Sequence, residues 1–343
     1  IEYADLNFDA PWLDVDVLVN ERGLAKLPDV SIQYCEPARP ATYLIGPGNH
    51  RRWEIMLLPG EDLQEMVSDE HVWRLLSRWI TPQDATLWRR ASYRFHALVA
   101  REWRHGRVFI AGDAAHQQPP FTGQGMCQGI RDVANLSWKL QLALRGRAGD
   151  GLLDTYGAER STHVRRYTAI IKGLGELICE RDPDAARARD RRLLAEAGGK
   201  VETTPRQHLL PPLETGLLSP AAHPANGTIF PQPRVRDGET TALLDSLAGT
   251  GFRLVLNGRS PLSRLPHRDL IDLLDATVIS IGEPPGVSGA LHVAECDGVV
   301  QGWFERYGCS AAIVRPDHYV YGVAGSAEAL DDQLARLTTS ISI

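Results

Sequence analysis

The residues best suited to chemistry lie where a short apolar run meets an aspartate and a cluster of glycines. Arg107 to Ala111 is an apolar run typical of a buried strand, and Gly112 and Asp113 turn the chain directly after it. The carboxylate of Asp113 is suited to accept hydrogen bonds from the hydroxyl groups of a ligand. The sequence therefore predicts a ligand site just after residue 111.

A helix is expected from Gly125, with Gly146 suited to end it in a left-handed conformation. A strand, a glycine-rich loop and a helix N-terminus together present free N–H groups to an anion. Pro119 and Pro120 lack N–H groups, so their part of the loop is expected to be an extended wall. On this pattern alone, an ordinary α/β crossover explains the segment equally well. Helical spacing predicts one apolar face, made of Met126, Ile130, Val133, Leu140 and Leu144.

The wider motif resembles the second FAD-binding motif of the class A flavoprotein aromatic hydroxylases. The resemblance is carried by G-D-A-A-H, P-P, G-Q-G-M and a later G…D…N-L…W-K-L, all within residues 112–140. R-R-W-E-I-M-L-L-P-G-E at 51–61 and F-P-Q-P-R-V at 230–235 resemble the 3-(3-hydroxyphenyl)propionate hydroxylase branch. The resemblance covers essentially the whole chain. It implies FAD as cofactor, NADH or NADPH as co-substrate, and hydroxylation of a phenolic aromatic acid by O2 through a flavin hydroperoxide.

The resemblance also implies roles for individual residues. Asp113 would accept hydrogen bonds from a ribityl hydroxyl, and the N–H groups of Met126 and Cys127 would point at the flavin pyrimidine edge. The carbonyl of Pro120 would accept a hydrogen bond from the phenolic hydroxyl. Cys127 stands where the family often has Asn, so a side-chain amide contact would be lost there. The implied cofactor-binding residues are Gly112, Asp113, Pro119, Gly123, Gln124, Gly125, Met126 and Cys127.

Substrate contacts are expected from the segments before the motif. Trp53 or Glu54 would touch substrate, and the alternative is that Trp53 lies in the core while Glu54 faces solvent. Tyr93 is a second candidate for a substrate contact. His96, His116 and Tyr93 are candidates for the base that accepts the phenolic proton. We take His96, with Pro120, as the catalytic candidates, because His116 inside the motif is better placed to hold the loop.

Composition limits the classes of partner. The chain has 343 residues and a net charge of -6, which disfavours nucleic acid. No apolar run approaches membrane-spanning length. The five cysteines form neither a C-x-x-C pair nor a zinc pattern, which is typical of free thiols in the cytoplasm and predicts no metal. The expected partners are a small phenolic substrate and O2, together with a homo-oligomeric assembly.

The expected fold is α/β (α+β) and divides into four segments. Residues 1–100 would form a substrate-binding sheet, with strands at 13–19, 31–34 and 92–99, a hairpin of 41–45 with 52–58, and a helix at 69–80. Residues 101–195 would form the C-terminal part of a Rossmann-like FAD domain, with a helix at 154–177 whose Arg160 belongs to a solvated face. Residues 196–238 would be a proline-rich connection. Residues 239–343 resemble a thioredoxin-like domain, expected to serve packing or oligomerisation because it has no C-x-x-C motif.

Other readings remain open at this point. The chain starts at Ile1 and has no early G-x-G-x-x-G, so we expect the N-terminal dinucleotide-binding segment of the family to be missing. The chain would then be a non-catalytic fragment that binds FAD poorly. Hydroxylation of a larger polycyclic or halogenated phenol is a second alternative. An α/β binding protein without redox chemistry is a third.

Overall fold

In a computed structural model of the chain, the described residues are 1–200, 209–259, 262, 264–282 and 289–341. The helices of this part of the chain are α1 Glu21–Leu24, α2 Asp69–Leu76, α3 Gly125–Leu144, α4 Asp150–Ile178, α5 Pro183–Glu196, α6 Leu244–Ala248, α7 Arg268–Leu274, α8 Val299–Tyr307 and α9 Ala327–Ile341. The strands are β1 Tyr3–Val19, β2 Ile32–Tyr34, β3 Ala41–Ile45, β4 His50–Met56, β5 Ala85–Ala100, β6 Arg104–His105, β7 Val108–Phe109, β8 His116–Gln117, β9 Arg234–Asp237, β10 Thr240–Leu243, β11 Arg253–Asn257, β12 Thr277–Ile281, β13 Leu291–Glu295, β14 Ala311–Val314 and β15 Val320–Ala324.

The first sheet has the strand order β2-β3-β4-β1-β5-β8. Strands β3 and β4 pair antiparallel, which confirms the predicted hairpin. The long strands β1 and β5 form the centre of the sheet. Strand β8, which follows the glycine-aspartate turn, adds to the edge by pairing with β5. The candidate ligand loop is therefore hydrogen-bonded to this sheet.

The two faces of this sheet have different neighbours. Because side chains alternate along a strand, Leu13, Val15 and Val17 share one face of β1, where they form a buried cluster with Trp53 and helix α2. The predicted helix at 69–80 is confirmed over its first two turns.

The other face carries Trp12 and Phe95, whose rings stack with centroids 5.7 Å apart. It packs against the loop around Phe121 and against Tyr167 and Ile171 of α4. This second face is therefore the one that meets the candidate ligand loop.

The second sheet has the strand order β10-β9-β13-β12-β11-β14-β15. Strands β14 and β15 pair antiparallel as a hairpin, and helix α9 follows them. Strands β9, β10 and β13 and helix α8 were not predicted. Strand β9 lies in the predicted connection, yet it pairs with β13 of this sheet. Pro205, which was part of the connection prediction, lies outside the described residues.

Helix α3 confirms the predicted helix, and its apolar side is exposed. Met126 is 76% exposed and Leu144 is 86% exposed, with Ile130 and Val133 also exposed. The predicted residues share one side of the helix, while the side buried against the rest of the chain carries a polar network. The residues buried on that opposite side are Gln128, Asp132, Asn135, Trp138 and Lys139.

Two expectations need correction. The predicted buried strand at 107–111 is only the two-residue strand β7, which pairs with β6 and leaves Val108 65% exposed. Arg160, predicted to be solvated, is fully buried because its guanidinium is paired with Asp132 of α3. Among the described residues, no helix combines the length and the apolar character needed to cross a bilayer.

Candidate functional site

The turn at Gly112 lies directly against helix α3. Gly112 has a φ of +59°, which favours glycine, and it begins a single turn of 3-10 helix over Gly112–Ala114. A Cβ atom placed on Gly129 would lie 3.3 Å from the Cα atom of Gly112. The two glycines therefore allow the turn to approach α3 at the helical turn that follows its N-terminus.

Asp132 fastens this turn to the helix. Its Oδ2 accepts hydrogen bonds from the Gly112 backbone N–H at 3.0 Å and lies 2.8 Å from Nε2 of His116. Its Oδ1 accepts a hydrogen bond from Nε of Arg160 at 2.8 Å. Burial alone would raise the pKa of Asp132, but the His116 hydrogen bond and the Arg160 charge outweigh it and lower that pKa. The carboxylate is therefore held ionised beneath the turn.

Contacts with three different residues hold His116 in place. It is buried, its ring stacks on Trp103 with centroids 5.6 Å apart, and its backbone pairs with Val99 of β5. Since Asp132 takes its Nε2, this imidazole has little freedom to reach a ligand. These contacts fit the interpretation that His116 holds the loop.

Above the turn, the residues predicted to bind cofactor form an open rim. Asp113 and Gly123 are exposed, and a Cβ atom added to Gly125 would meet nothing within 4 Å. The first N–H groups of an α-helix have no acceptor within the helix, so those of Met126 and Cys127 are available at the start of α3. An exposed carboxylate, free amides and open space beside a glycine are what an FAD ring and ribityl chain need. The residues present fit this group.

The rest of the loop, defined as the motif loop of residues 112–125, is more constrained. Pro119 is buried, and Gln124 accepts hydrogen bonds from the Arg131 guanidinium at 3.3 and 3.4 Å. The carbonyl of Pro120 accepts a hydrogen bond from the Gly123 N–H at 2.7 Å. A carbonyl oxygen has two lone pairs, so one remains for a ligand hydroxyl.

An aromatic cluster connects the motif loop to the sheet. The Phe121 ring makes edge contacts with Phe8, Trp12 and Phe95, with ring centroids 5.8, 5.5 and 6.2 Å apart. We call these four residues the aromatic face. The hydroxyl of Tyr167 donates to Thr122 Oγ1 at 3.2 Å beside them. This arrangement provides an apolar wall next to Pro120, against which an aromatic ring can lie.

The structure separates the three predicted substrate and base residues. Trp53 is fully buried on the far face of the sheet, where it packs against Tyr43 and Trp79. Tyr93 is 38% exposed, lies opposite Trp12 in the register and contacts the guanidinium of Arg89. His96 is half-buried and points to the other side of β5 from Tyr93, because the two residues are three positions apart. No common centre contains all three, and their roles remain predictions.

Two acidic residues are buried on the same side of the sheet as Trp12. Asp14 and Glu54 lie directly opposite each other in the β1–β4 register and are 9% and 4% exposed. Burial raises the pKa of Asp14 to about 6 and that of Glu54 to about 8; the charge of Asp16 adds to the first shift, and the charges of Asp14 and Asp16 add to the second. Glu54 is therefore neither solvent-facing nor fully ionised at neutral pH, contrary to the alternative considered for it.

Sequence reasoning missed Asp132, Arg160 and the aromatic face as parts of the site. A signal for the first was present, because D…N-L…W-K-L in the quoted motif places Asp132, Asn135 and Lys139 at helical spacing. That spacing marks the buried side of α3. The aromatic face joins residues far apart in the chain, and no local pattern indicates it.

Both parts of the chain resemble known proteins. Residues 8–170 match a family model described as an FAD binding domain, and residues 227–340 match the HcaD C-terminal domain. Among curated proteins, the chain is 38% identical to a Rhodococcus jostii protein named "Probable NADH-specific resorcinol 4-hydroxylase", over 99% of this chain and 63% of that protein. It is 32% identical to a Mycobacterium sp. protein named 3-(3-hydroxy-phenyl)propionate/3-hydroxycinnamic acid hydroxylase, over 91% of this chain and 57% of that protein. The chain thus spans less than two thirds of the length of these relatives.

Solved structures show the same fold at lower identity. The flavin-dependent monooxygenase PieE, in complex with FAD and substrate, superimposes with a TM-score of 0.72 at 21% identity, over 100% of this chain and 67% of that one. Aklavinone-11 hydroxylase, in complex with FAD and aklavinone, superimposes with a TM-score of 0.66 at 20% identity, over 96% of this chain and 63% of that one. The predicted mixed α/β fold is confirmed by these likenesses.

Proposed function

The chain belongs to the FAD-dependent aromatic hydroxylase family, and on that premise we propose that it supplies the flavin-facing and substrate-facing parts of an NADH-using phenol hydroxylase. The observation that carries the proposal is the motif loop. The exposed carboxylate of Asp113 lies near its first residue, and the N-terminus of α3 lies at its last. Between them, Phe121 belongs to the aromatic face. One short segment therefore brings a cofactor rim and an aromatic surface together.

FAD, when bound, would take electrons from NADH and transfer one oxygen atom of O2 to the substrate ring. The chain's own residues would bind and orient it. Asp113 would accept hydrogen bonds from a ribityl hydroxyl, while the N–H groups of Met126 and Cys127 would face the pyrimidine edge. Negative charge at that edge would be stabilised by the start of α3, by about 1 kcal/mol. Asp132 would keep the turn in place through the Gly112 N–H.

Substrate would lie between the cofactor and the aromatic face. Phe121 and Trp12 would pack against the ring and exclude water, and the free lone pair of the Pro120 carbonyl would accept a hydrogen bond from the phenolic O–H. This contact polarises the hydroxyl and orients the carbon to be oxidised. Tyr93 and His96 remain candidates for contacting substrate and for accepting the proton.

We infer that the substrate is a phenol with a second group in the meta position. The relatives named for resorcinol and for 3-(3-hydroxyphenyl)propionate share that pattern, although the second group is a hydroxyl in one and an acidic chain in the other. The phenolic acid is the substrate that the sequence predicts. A larger polycyclic phenol is the second candidate, favoured by the fold likeness to aklavinone-11 hydroxylase.

The experiment is to mix the protein with FAD, remove free flavin, and record bound flavin by absorbance. Oxygen uptake with NADH is then measured with resorcinol, 3-(3-hydroxyphenyl)propionate and a polycyclic phenol. We expect bound flavin and phenol-dependent oxygen uptake with product formation. Bound flavin without hydroxylated product from any phenol would contradict the hydroxylase, and absence of bound flavin would favour the non-catalytic fragment.

A further inference from the structure

The acid pair, Asp14 and Glu54, lies on the substrate side of the sheet. Trp12 and Asp14 are two residues apart on β1, so their side chains leave the same face at positions about 7 Å apart. Met56 and Glu54 repeat this relationship on β4, opposite Trp12 and Asp14. The acid pair is therefore one step along the sheet from the aromatic face.

A polar track links the motif loop to the acid pair. Gln33 Nε2 donates to the carbonyl of Phe121 at 3.4 Å, and Gln33 Oε1 accepts from Thr42 Oγ1 at 2.5 Å. Thr42 is buried and lies directly opposite Glu54 in the β3–β4 register. Directly opposed residues of antiparallel strands have Cβ atoms about 5 Å apart. Gln33 and Thr42 thus form a row of polar side chains between Phe121 and Glu54. Next to Phe121, the other side chains on this face of the sheet are apolar.

The acid pair has no cation of its own. Among the described residues, Oδ1 of Asp14 is buried without a hydrogen-bond partner. Leaving a buried polar atom unpaired costs free energy. Because this atom lies beside the proposed ligand surface, a ligand hydroxyl can supply the missing hydrogen bond.

The nearby positive charges are engaged elsewhere. At the far end of the same face, Asp16 receives hydrogen bonds from Arg52 Nε at 2.7 Å and Nη2 at 3.1 Å, and its Oδ1 lies 2.7 Å from His50 Nε2. Arg89 lies 3.6 Å from its other oxygen. Arg52 and Arg89 act on Asp14 only through longer-range attraction. Near pH 7 Asp14, with a pKa of about 6, therefore carries a negative charge that no contact neutralises, while Glu54, with a pKa of about 8, is largely protonated.

We propose that Asp14 and Glu54 form a hydroxyl-recognising subsite, which selects a neutral dihydroxybenzene over a phenol that carries a carboxylate. The second hydroxyl of such a ring donates a hydrogen bond to the acid pair, while its first hydroxyl donates to the Pro120 carbonyl. A carboxylate in the same place adds a like charge beside the carboxylate of Asp14. This inference rests on the proposed function and replaces the phenolic acid with a polyhydroxylated substrate.

The test is the ratio of two dissociation constants, measured by isothermal titration calorimetry at about pH 7 with resorcinol and with 3-(3-hydroxyphenyl)propionate. Both titrations are run with and without added FAD. We expect the unaltered protein to bind resorcinol about tenfold more tightly, because a hydrogen bond to a charged group is at stake. Asp14→Asn, which removes the charge, reduces this preference severalfold, whereas Glu54→Gln, which replaces a largely protonated acid, reduces it by less than twofold. Glu65→Gln, the same change at an exposed acid, leaves it unchanged.

Several outcomes overturn the proposal. These are tighter binding of the anionic probe, a preference that survives Asp14→Asn, and failure of resorcinol to bind in either titration. Asp14→Asn carries the test if Glu54→Gln does not fold. The proposed function fails separately, by lack of bound flavin or of phenol-dependent product, and the FAD-free titrations still report the preference in that case.

Discussion

The backbone N–H of Gly112 donates a hydrogen bond of 3.0 Å to Oδ2 of Asp132, which anchors the turn before Asp113 on helix α3. The other oxygen of Asp132 binds Arg160, and Nη1 of Arg160 lies 3.3 Å from the hydroxyl of Tyr319. The turn is thereby connected through two buried side chains to the C-terminal sheet. The C-terminal unit braces the candidate cofactor rim, so it is more than an appended module.

Replacing Asp132 should destabilise the whole protein. Asp132→Ala leaves the Arg160 guanidinium buried without its partner, which typically costs about 3–5 kcal/mol. The free energy of unfolding, measured by urea denaturation, should fall by this amount. A loss below about 1 kcal/mol would show that the network adds little to stability.

Asp113→Ala should behave in the opposite way. Asp113 is exposed, so its loss should leave the free energy of unfolding within about 0.5 kcal/mol of the parent value. Bound flavin, measured by absorbance after removal of free FAD, should fall strongly because the ribityl contact is lost. Flavin content equal to that of the parent would count against Asp113 as a cofactor ligand.

The sequence predicted the local elements of this fold better than their environment. Alternation located the strand at Leu13–Val19, and turn residues located the hairpin before Met56, because both signals are local. The burial of the polar side of α3 has a physical reason that the helix does not contain. Hydrophobicity alone favours burial of Ile130 over Asp132, and only residues outside the helix, chiefly His116 and Arg160, make burial of that carboxylate favourable.

The same limit applies to the candidate site. The motif located the Gly112 turn and the start of α3, since those residues are consecutive. Alternation along the strand predicts that Trp53 and Glu54 point to opposite faces, but it does not indicate which face meets the motif loop. That choice is made by Phe121, which packs on the face bearing Trp12 and Phe95.

Arg315 should be a second point of global stability. Its guanidinium donates to Glu159 at 3.1 and 2.7 Å and to Asp317 at 3.1 and 2.7 Å, with all three side chains fully buried. Arg315→Met would leave the buried Asp317 without a cation and Glu159 with Lys139 alone, and we expect a loss of about 3–5 kcal/mol in urea denaturation. Arg336→Met is the matched control, because its pair with Asp332 is exposed and worth less than about 1 kcal/mol. Similar losses in both variants would refute the buried network as the cause.

The contribution of Asp14 and Glu54 to stability should fall as pH rises from about 4 to about 8, and above about pH 6 Glu54 dominates it. The folded pKa values of Asp14 and Glu54, about 6 and about 8, are above the ordinary values of 3.8 and 4.5. The folded protein therefore binds these protons more tightly than the unfolded chain, and this contribution is lost as each group ionises. The slope should approach 1.4 kcal/mol per pH unit per titrating group. Urea denaturation at about pH 6 and pH 8 measures it, and Glu54→Gln should flatten the curve; an unchanged slope would contradict the raised pKa of Glu54.

A single methyl group at Gly175 should disturb the aromatic face. A Cβ atom there would lie 2.5 Å from Cε2 of Phe121 and 2.9 Å from Cε2 of Phe8, so one or both rings must move. Overpacking of this kind costs about 1–3 kcal/mol, and we expect Gly175→Ala to lower stability and weaken phenol binding together.

Gly173→Ala is the control, because a Cβ atom there meets nothing within 4 Å. In the same helix α4, that change should stabilise by up to about 1 kcal/mol, since alanine is the better helix former. If calorimetry showed equal phenol affinity in the two variants, the aromatic face would not be a substrate surface, because the methyl group at 175 displaces its central ring and the one at 173 does not.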